Sequence, residues 1–157
     1  MTATNSDSDR ELKITRVFDA PRQLVFDVWT DPSHLSRWWG PTGCTAPSVT
    51  LDAQPGGAWR ACILNPAVDE FWSRSEYQEI DPPERLTFTF AWEMGDELSP
   101  QTLVTVTFAD LDGKTEMIFH QSGFADSADR DRHLEGWHAT FIDLDAYVNE
   151  ISTSTVA

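Results

Sequence analysis

The sequence predicts an α+β fold in which one antiparallel sheet packs against a long C-terminal helix. Two observations carry this prediction. Strand patterns follow one another between residues 48 and 121 with no helical pattern between them, and residues from about 126 to 151 form one amphipathic helical pattern. Consecutive strands favour an antiparallel sheet, whereas a doubly wound parallel sheet requires helices between its strands. A length of 157 residues favours a single core.

The N-terminal part is predicted to form a strand and two short helices. Residues 11–19 alternate between apolar and polar side chains, as a half-buried strand does. Pro21 opens the first helix, which runs to about Thr30, because proline is tolerated in a first helical turn. Asp31 caps a second short helix that ends at the sequence Trp-Trp-Gly-Pro, residues 38–41, since glycine and proline stop helices.

Six further strands are predicted in the middle of the chain. The clearest covers residues 86–92, where four large apolar residues alternate strictly with threonine and alanine, a pattern typical of a strand with one buried face. The last two strands form a hairpin across Asp112 and Gly113, a dipeptide favoured in tight turns. The six strands are predicted over residues 48–53, 58–64, 70–80, 86–92, 102–109 and 115–121.

The C-terminal segment is predicted to be one helix, capped by Asp126 or Ser127 and roughly 36 Å long at 1.5 Å per residue. At about 100° per residue its large apolar side chains fall within one arc of roughly 100°, and His133 lies near one edge of that arc. A helix this long and one-sided needs a large apolar surface, which the sheet offers. The apolar arc consists of Leu134, Trp137, Phe141, Leu144, Val148 and Ile151.

The charge of the chain bears on its partners. Acidic residues number 26 against 11 basic residues, giving a formal net charge of −15. A surface this negative repels phosphate backbones and anionic lipid headgroups, so neither nucleic acids nor membranes are expected as partners. No run of about 18 apolar residues occurs, so no membrane-spanning segment is predicted. The first residues contain no apolar signal-peptide core, and a cytoplasmic location is expected.

The residues at both chain ends are small and polar, so we expect a disordered tail at residues 1–10, one domain over residues 11–151 and a flexible tail at residues 152–157.

Cys44 and Cys62 belong to no metal-binding or redox motif. His133 and His138 lie about 140° apart around the predicted helix, too far to share one ion easily. Neither a metal nor a cofactor is therefore expected.

Five motifs occur in order along residues 11–151. They are VFDAPRQLVFDVWTDPSHLSRWWGP from residue 17, PGGAW from residue 55, EIDPPERLTFTFAW from residue 79, QSGF from residue 121 and HLEGW from residue 133. Together they resemble the START-like helix-grip (SRPBCC) superfamily, and most closely its proteins named after the activator of the heat-shock protein 90 ATPase. The superfamily includes lipid carriers, hormone receptors, polyketide cyclases and aromatases, so the resemblance implies a fold rather than one function.

The resemblance implies a curved sheet of about six to seven strands that grips the C-terminal helix and leaves a cavity between them. The helical arc points Trp137 and Phe141 into that space, and family similarity together with strand alternation adds residues of the sheet. The alternative is that these aromatic side chains are simply core. The predicted ligand-binding set is Trp38, Trp39, Trp59, Tyr77, Phe90, Trp92, Gln121, His133, Trp137 and Phe141.

Three functional hypotheses follow. The leading one is binding of a small hydrophobic or aromatic molecule for transport, sequestration or sensing, because the sequence has an aromatic helix face and no GxSxG, GxGxxG, GK[ST] or HExxH motif. The second is a cofactor-free cyclase, aromatase or hydrolase acting on a polyketide-like substrate, with Tyr77, Gln121 or His133 assisting proton transfer. The third is a protein-interaction or chaperone-cofactor role, which requires an exposed apolar patch. A homodimer is compatible with the first two.

Overall fold

The secondary-structure elements follow the predicted order. The computed structural model describes residues 10–40, 44–46, 48–65, 69–94 and 96–156, and all but one residue of the predicted N-terminal tail lies outside these ranges. The helices are α1 (Arg22–Thr30), α2 (Pro32–Trp38) and α3 (Ser127–Val156). The strands are β1 (Glu11–Phe18), β2 (Val49–Leu51), β3 (Ala58–Asn65), β4 (Asp69–Asp81), β5 (Arg85–Met94), β6 (Glu97–Leu98), β7 (Thr102–Leu111) and β8 (Lys114–Ser122).

The strands form one antiparallel sheet, which confirms the predicted α+β class. Their order is β1-β8-β7-β5-β4-β3-β2, and β6 pairs with β5 beside this path. Among the described residues the sheet has eight strands, one more than the upper end of the predicted range, because β6 has only two residues, too few for an alternating pattern to predict it. The register of β4 and β5 shifts between Tyr77 and Glu79, and such irregularities bend a sheet.

Helices α1 and α2 fix the position of the residue that follows them, Trp39. The Asp31 carboxylate accepts hydrogen bonds from the hydroxyl and the backbone N–H of Ser33, which lower the pKa of Asp31 and cap α2. At the other end of α2, the Trp38 indole N–H donates to the Val28 carbonyl at 2.9 Å and ties α2 to α1. Trp39 thus leaves the helix at a defined place above the sheet.

Helix α3 lies across the sheet with its apolar arc inward. The Asp126 carboxylate accepts a hydrogen bond from the backbone N–H of Asp129 at 2.8 Å, as a helix cap does. Trp137, Phe141, Leu144 and Val148 are buried in the core that the sheet forms with α1 and α3. The helix continues to Val156, beyond the predicted end at 151. None of the described helices is long and apolar enough to cross a membrane.

Candidate ligand-binding cavity

A cavity of about 570 Å³ lies between the first half of α3 and strands β3 to β5, beside the residue that follows α2. This volume is within the range of small-molecule sites, roughly 300–1,000 Å³. Most of its surface is apolar and aromatic. The described residues that line it are Trp39, Gly40, Cys44, Ile63, Asn65, Phe71, Phe90, Trp92, Met94, Arg132, His133, Gly136, Trp137 and Thr140.

The structure brings half of the predicted ligand-binding set to this cavity, and ligand binding by them stays a prediction. Those that line the cavity are Trp39, Phe90, Trp92, His133 and Trp137. The other five are buried side chains away from the lining: Trp38, Trp59, Tyr77, Gln121 and Phe141.

Those five are held by packing partners. Trp38 turns toward α1, where its indole bonds to a backbone carbonyl. Trp59 stacks on Tyr77 with ring centroids 5.7 Å apart. Phe141 lies one turn beyond Trp137 on α3 and packs edge-on against Phe119 at 5.2 Å. They therefore support the cavity wall from behind. Alternation along a strand indicates which face of the sheet a side chain lies on, but not whether that side chain reaches the cavity.

His133 and Trp92 form one polar contact of the lining. The Trp92 indole N–H donates to Nε2 of His133 at 3.0 Å, and Nδ1 of His133 lies 2.8 Å from the backbone carbonyl of Asp129. Because an indole N–H can only donate, Nε2 acts as the acceptor and Nδ1 carries the proton. Both ring nitrogens are therefore occupied. The imidazole holds the Trp92 ring in place and has no nitrogen left to exchange a proton with a ligand.

Gln121 holds a second indole of the lining from behind. Its Oε1 accepts a hydrogen bond from the Trp137 indole N–H at 2.7 Å, and its Nε2 donates to the Thr102 hydroxyl at 2.8 Å. That hydroxyl donates to the Phe90 carbonyl at 2.9 Å. Gln121 is fully buried, so its amide forms hydrogen bonds within the protein and is not exposed to the cavity.

Trp39 differs from these two indoles. Its ring packs against Trp59 and Trp137, with centroid distances of 5.1 and 5.3 Å. Its Nε1 is buried and has no hydrogen-bond partner among the residues that the structure describes. Of the three indoles that line the cavity, Trp39 is thus the one whose donor the described protein does not satisfy.

Gly136 creates part of the open space. It lies in the interior of α3 and lines the cavity, and a Cβ at this position meets no atom within 4 Å apart from its two chain neighbours and the adjacent helix backbone. Glycine in a helix interior is less favourable than alanine by about 1 kcal/mol. A glycine that borders an unfilled volume therefore keeps that volume open at a cost in helix stability.

Sequence reasoning missed several residues at the mouth and rim. Phe71 and Met94 line the cavity although they are 45% and 61% exposed, and alternation alone does not separate a cavity mouth from ordinary surface. Arg132 supplies the one charged side chain of the described lining, and its guanidinium lies 3.1 Å from Asp129. No carboxylate belongs to that lining, in contrast to the excess of acidic residues in the chain.

The three catalytic candidates do not share one polar cluster. Tyr77 and Gln121 lie outside the lining, and His133 uses both of its ring nitrogens. Burial raises the pKa of the Tyr77 hydroxyl well above its usual range, which keeps it protonated at neutral pH. The described lining therefore lacks a pair of groups arranged for proton transfer.

Comparisons with known proteins decide the family. The sequence profile of activator of Hsp90 ATPase homolog 1-like proteins matches residues 19–149. The chain belongs to this family. The match spans all the described residues that line the cavity. A search of curated proteins found no significant match.

Several solved structures resemble this family member. A protein from Chromobacterium violaceum is 27% identical with a TM-score of 0.80, over 88% of this chain and 96% of the other. A protein from Arthrobacter aurescens is 25% identical, also with a TM-score of 0.80, over 91% and 88%. A Silicibacter pomeroyi protein named AHSA1 is 23% identical with a TM-score of 0.79, over 88% and 97%, and shows the shared fold alone.

Proposed function

We propose that the chain binds a small hydrophobic or aromatic molecule in the cavity between the sheet and α3, as a cytoplasmic carrier, store or sensor. The observation that carries the proposal is the cavity of about 570 Å³, which is lined mostly by apolar and aromatic side chains and beside which a Cβ at Gly136 meets no atom within 4 Å. The aromatic lining gives apolar ligand surface a place to leave water.

The charges of the lining narrow the class of ligand. Its described residues include Arg132 and no carboxylate, although the chain carries a formal net charge of −15. A buried cation on the ligand would find no counter-ion there, and an unpaired buried charge is strongly unfavourable. We therefore favour a neutral ligand, or an acid whose carboxylate lies at the Arg132 rim.

The enzymatic alternative has less support. A cofactor-free cyclase or hydrolase needs a group within hydrogen-bond reach of the reacting atoms. The polar atoms of Gln121 and His133 are instead paired with Trp137 and Trp92. Binding without chemistry requires no such group, and so it agrees better with this arrangement. The only support for a role in regulating a chaperone is the family name.

A fluorescence titration with N-phenyl-1-naphthylamine tests the proposal on three proteins: the wild type, Gly136→Ala and Gly136→Phe. The wild type and the alanine variant are expected to bind the probe. The phenylalanine side chain extends into the cavity and is expected to weaken binding at least tenfold, while circular dichroism shows an intact fold. Absence of binding to the wild type, or equal binding by all three, contradicts the proposal. Native mass spectrometry of the purified protein then gives the mass of any bound molecule.

A further inference from the structure

The two hydrogen bonds of His133 require its imidazole to be neutral. The ring lines the cavity, and 16% of the side chain is exposed, so solvent reaches it. Nε2 accepts the Trp92 indole N–H at 3.0 Å, and Nδ1 donates to the Asp129 carbonyl at 2.8 Å. A further proton can bind only at Nε2, on the side where the Trp92 hydrogen now lies. The resulting imidazolium has a donor at both nitrogens and can no longer accept the indole hydrogen bond.

The surroundings of His133 provide a countercharge for such a proton. On α3 itself, a carboxylate oxygen of Asp129 lies 3.5 Å from Nδ1, and the Arg132 guanidinium lies 3.1 Å from the same oxygen. The rings that contact His133 from β5 and from the segment before α3 are uncharged: Phe90, Trp92 and Phe124. Histidine is the side chain whose charge ordinarily changes between about pH 5 and 8. A proton at Nε2 therefore conflicts with Trp92 alone among these contacts.

The ring of Trp92 is the part that this conflict displaces. The backbone of Trp92 is fixed, because its N–H donates to the Ser99 hydroxyl and its carbonyl accepts from the Ser99 N–H, both at 2.8 Å. Two N–H groups that point at each other leave both donors without an acceptor, which is unfavourable. The indole therefore turns away from His133, and the cavity loses a part of its wall.

We propose that protonation of His133 weakens ligand binding, so that the protein holds its hydrophobic ligand at neutral pH and releases it in mildly acidic solution. His133 is in this sense a positioning residue that acts through Trp92. The inference rests on the proposed function and adds the condition for release. By linkage, the ligand and the proton weaken the binding of each other by the same factor. Release then needs neither a partner protein nor a chemical reaction.

Fluorescence titrations with N-phenyl-1-naphthylamine at pH 7.5 and pH 5.5 test the inference, because this probe is uncharged at both values. The dissociation constant of the wild type is expected to be about two- to tenfold higher at pH 5.5, the value of one neutral hydrogen bond. His133→Gln keeps an acceptor for the Trp92 N–H and does not titrate, so its constant should be equal at both values. His138→Gln is the matched control: His138 is an exposed residue of the same helix outside the described lining, and this variant should keep the wild-type pH dependence.

Trp92→Phe tests whether His133 acts through Trp92. Phenylalanine has no N–H to conflict with the imidazolium, so the ratio of the two dissociation constants should move toward one. Circular dichroism at both pH values checks that each protein stays folded. Equal binding by the wild type at both values, or an unchanged ratio in His133→Gln or Trp92→Phe, contradicts the inference and leaves the proposed function standing. Absence of binding at pH 7.5 contradicts the proposed function, and the inference fails with it.

A measurement on the wild type without ligand gives a second, independent readout. The seven tryptophans give seven indole N–H signals in a ¹H–¹⁵N spectrum, and the signal that Trp92→Phe lacks belongs to Trp92. This signal is expected to move upfield between pH 7.5 and pH 5.5 as its hydrogen bond is lost, and to move more than the other six. A Trp92 signal that stays constant over this range overturns the inference, even where probe binding depends on pH.

Discussion

The Trp137 indole and the Gln121 side chain meet at 2.7 Å, and through them α3 is bonded to the sheet. The contact continues from Gln121 on β8 to Thr102 on β7 and on to the Phe90 carbonyl on β5. Three adjacent strands and the helix thus share one buried chain of hydrogen bonds. A buried network of this kind favours one geometry, because a shift that breaks one of its hydrogen bonds leaves a buried polar group unpaired. It sets the position of the Trp137 ring in the cavity wall.

Replacement of Gln121 by leucine is expected to destabilise the protein by about 1–3 kcal/mol, because the Trp137 N–H is left buried without an acceptor. Urea unfolding followed by far-UV circular dichroism measures the change. The double variant Gln121→Leu, Trp137→Phe is the control, since it also removes the donor. The two substitutions should together cost clearly less than the sum of their separate effects. Strict additivity would show that the hydrogen bond is not the source of the loss.

Gly136→Ala is expected to stabilise the protein by about 0.5–1 kcal/mol, because alanine favours the helix and its Cβ meets no atom here. Thermal and urea unfolding measure the gain. Gly123 provides a contrasting control: its φ is +98°, so alanine there is strained and should destabilise. A loss of stability in Gly136→Ala would indicate that the space beside α3 is filled.

The order of elements, the cap of α2 and the inward arc of α3 were predictable because they depend on local periodicity and capping. The PGGAW motif illustrates how local this information is. A Cβ on Gly57 would lie 1.9 Å from the carbonyl oxygen of Asp52, so the turn before β3 requires glycine. Such constraints act within a few residues of sequence and can be read from it.

The candidate site was only half predictable, because its boundary depends on how elements meet. Trp59 and Trp92 occupy equivalent positions in their alternation patterns, yet one is fully buried beneath Trp39 and the other lines the cavity beside His133. Which of these two indoles lines the cavity depends on where α3 begins over the sheet. Gly136 was notable in the sequence, since a glycine inside a strong helical pattern usually has a packing or functional reason. The sequence alone does not distinguish a glycine that lies against a neighbouring backbone from one that borders an open volume.

The two cysteines are expected to react at very different rates. Cys44 is partly exposed and lines the cavity, whereas Cys62 is 1% exposed and burial raises the pKa of its thiol. A buried thiol with less thiolate reacts more slowly. Mass spectrometry after timed treatment with N-ethylmaleimide should show one fast and one slow addition, and Cys44→Ser should abolish the fast one. N-phenyl-1-naphthylamine bound in the cavity should slow the fast addition; unaltered labelling at saturating probe would place the probe elsewhere.

The outer face of the sheet carries an ion cluster whose effect depends on pH. The Arg60 guanidinium donates two hydrogen bonds to Glu93, at 2.6 and 2.9 Å, and Arg74 donates a third at 3.3 Å. Arg60, Arg74 and Glu93 lie on β3, β4 and β5, and these three strands form one wall of the cavity. The hydrogen bonds from Arg60 hold the pKa of the Glu93 carboxyl below its usual range.

Glu93→Gln is therefore expected to destabilise the protein at neutral pH and to matter less in acid. A carboxyl whose pKa is lower in the folded state contributes stability above its unfolded pKa, about 4.3, and loses it as the pH falls through the folded value. Urea unfolding of both proteins at pH 7 and pH 3 measures this: the difference in unfolding free energy should shrink in acid. Glu79→Gln is the matched control, since Glu79 forms an ion pair with one arginine in the described part of the chain, Arg85, and both side chains are about half exposed. A Glu93 effect that stays constant with pH would show that the cluster contributes packing rather than charge.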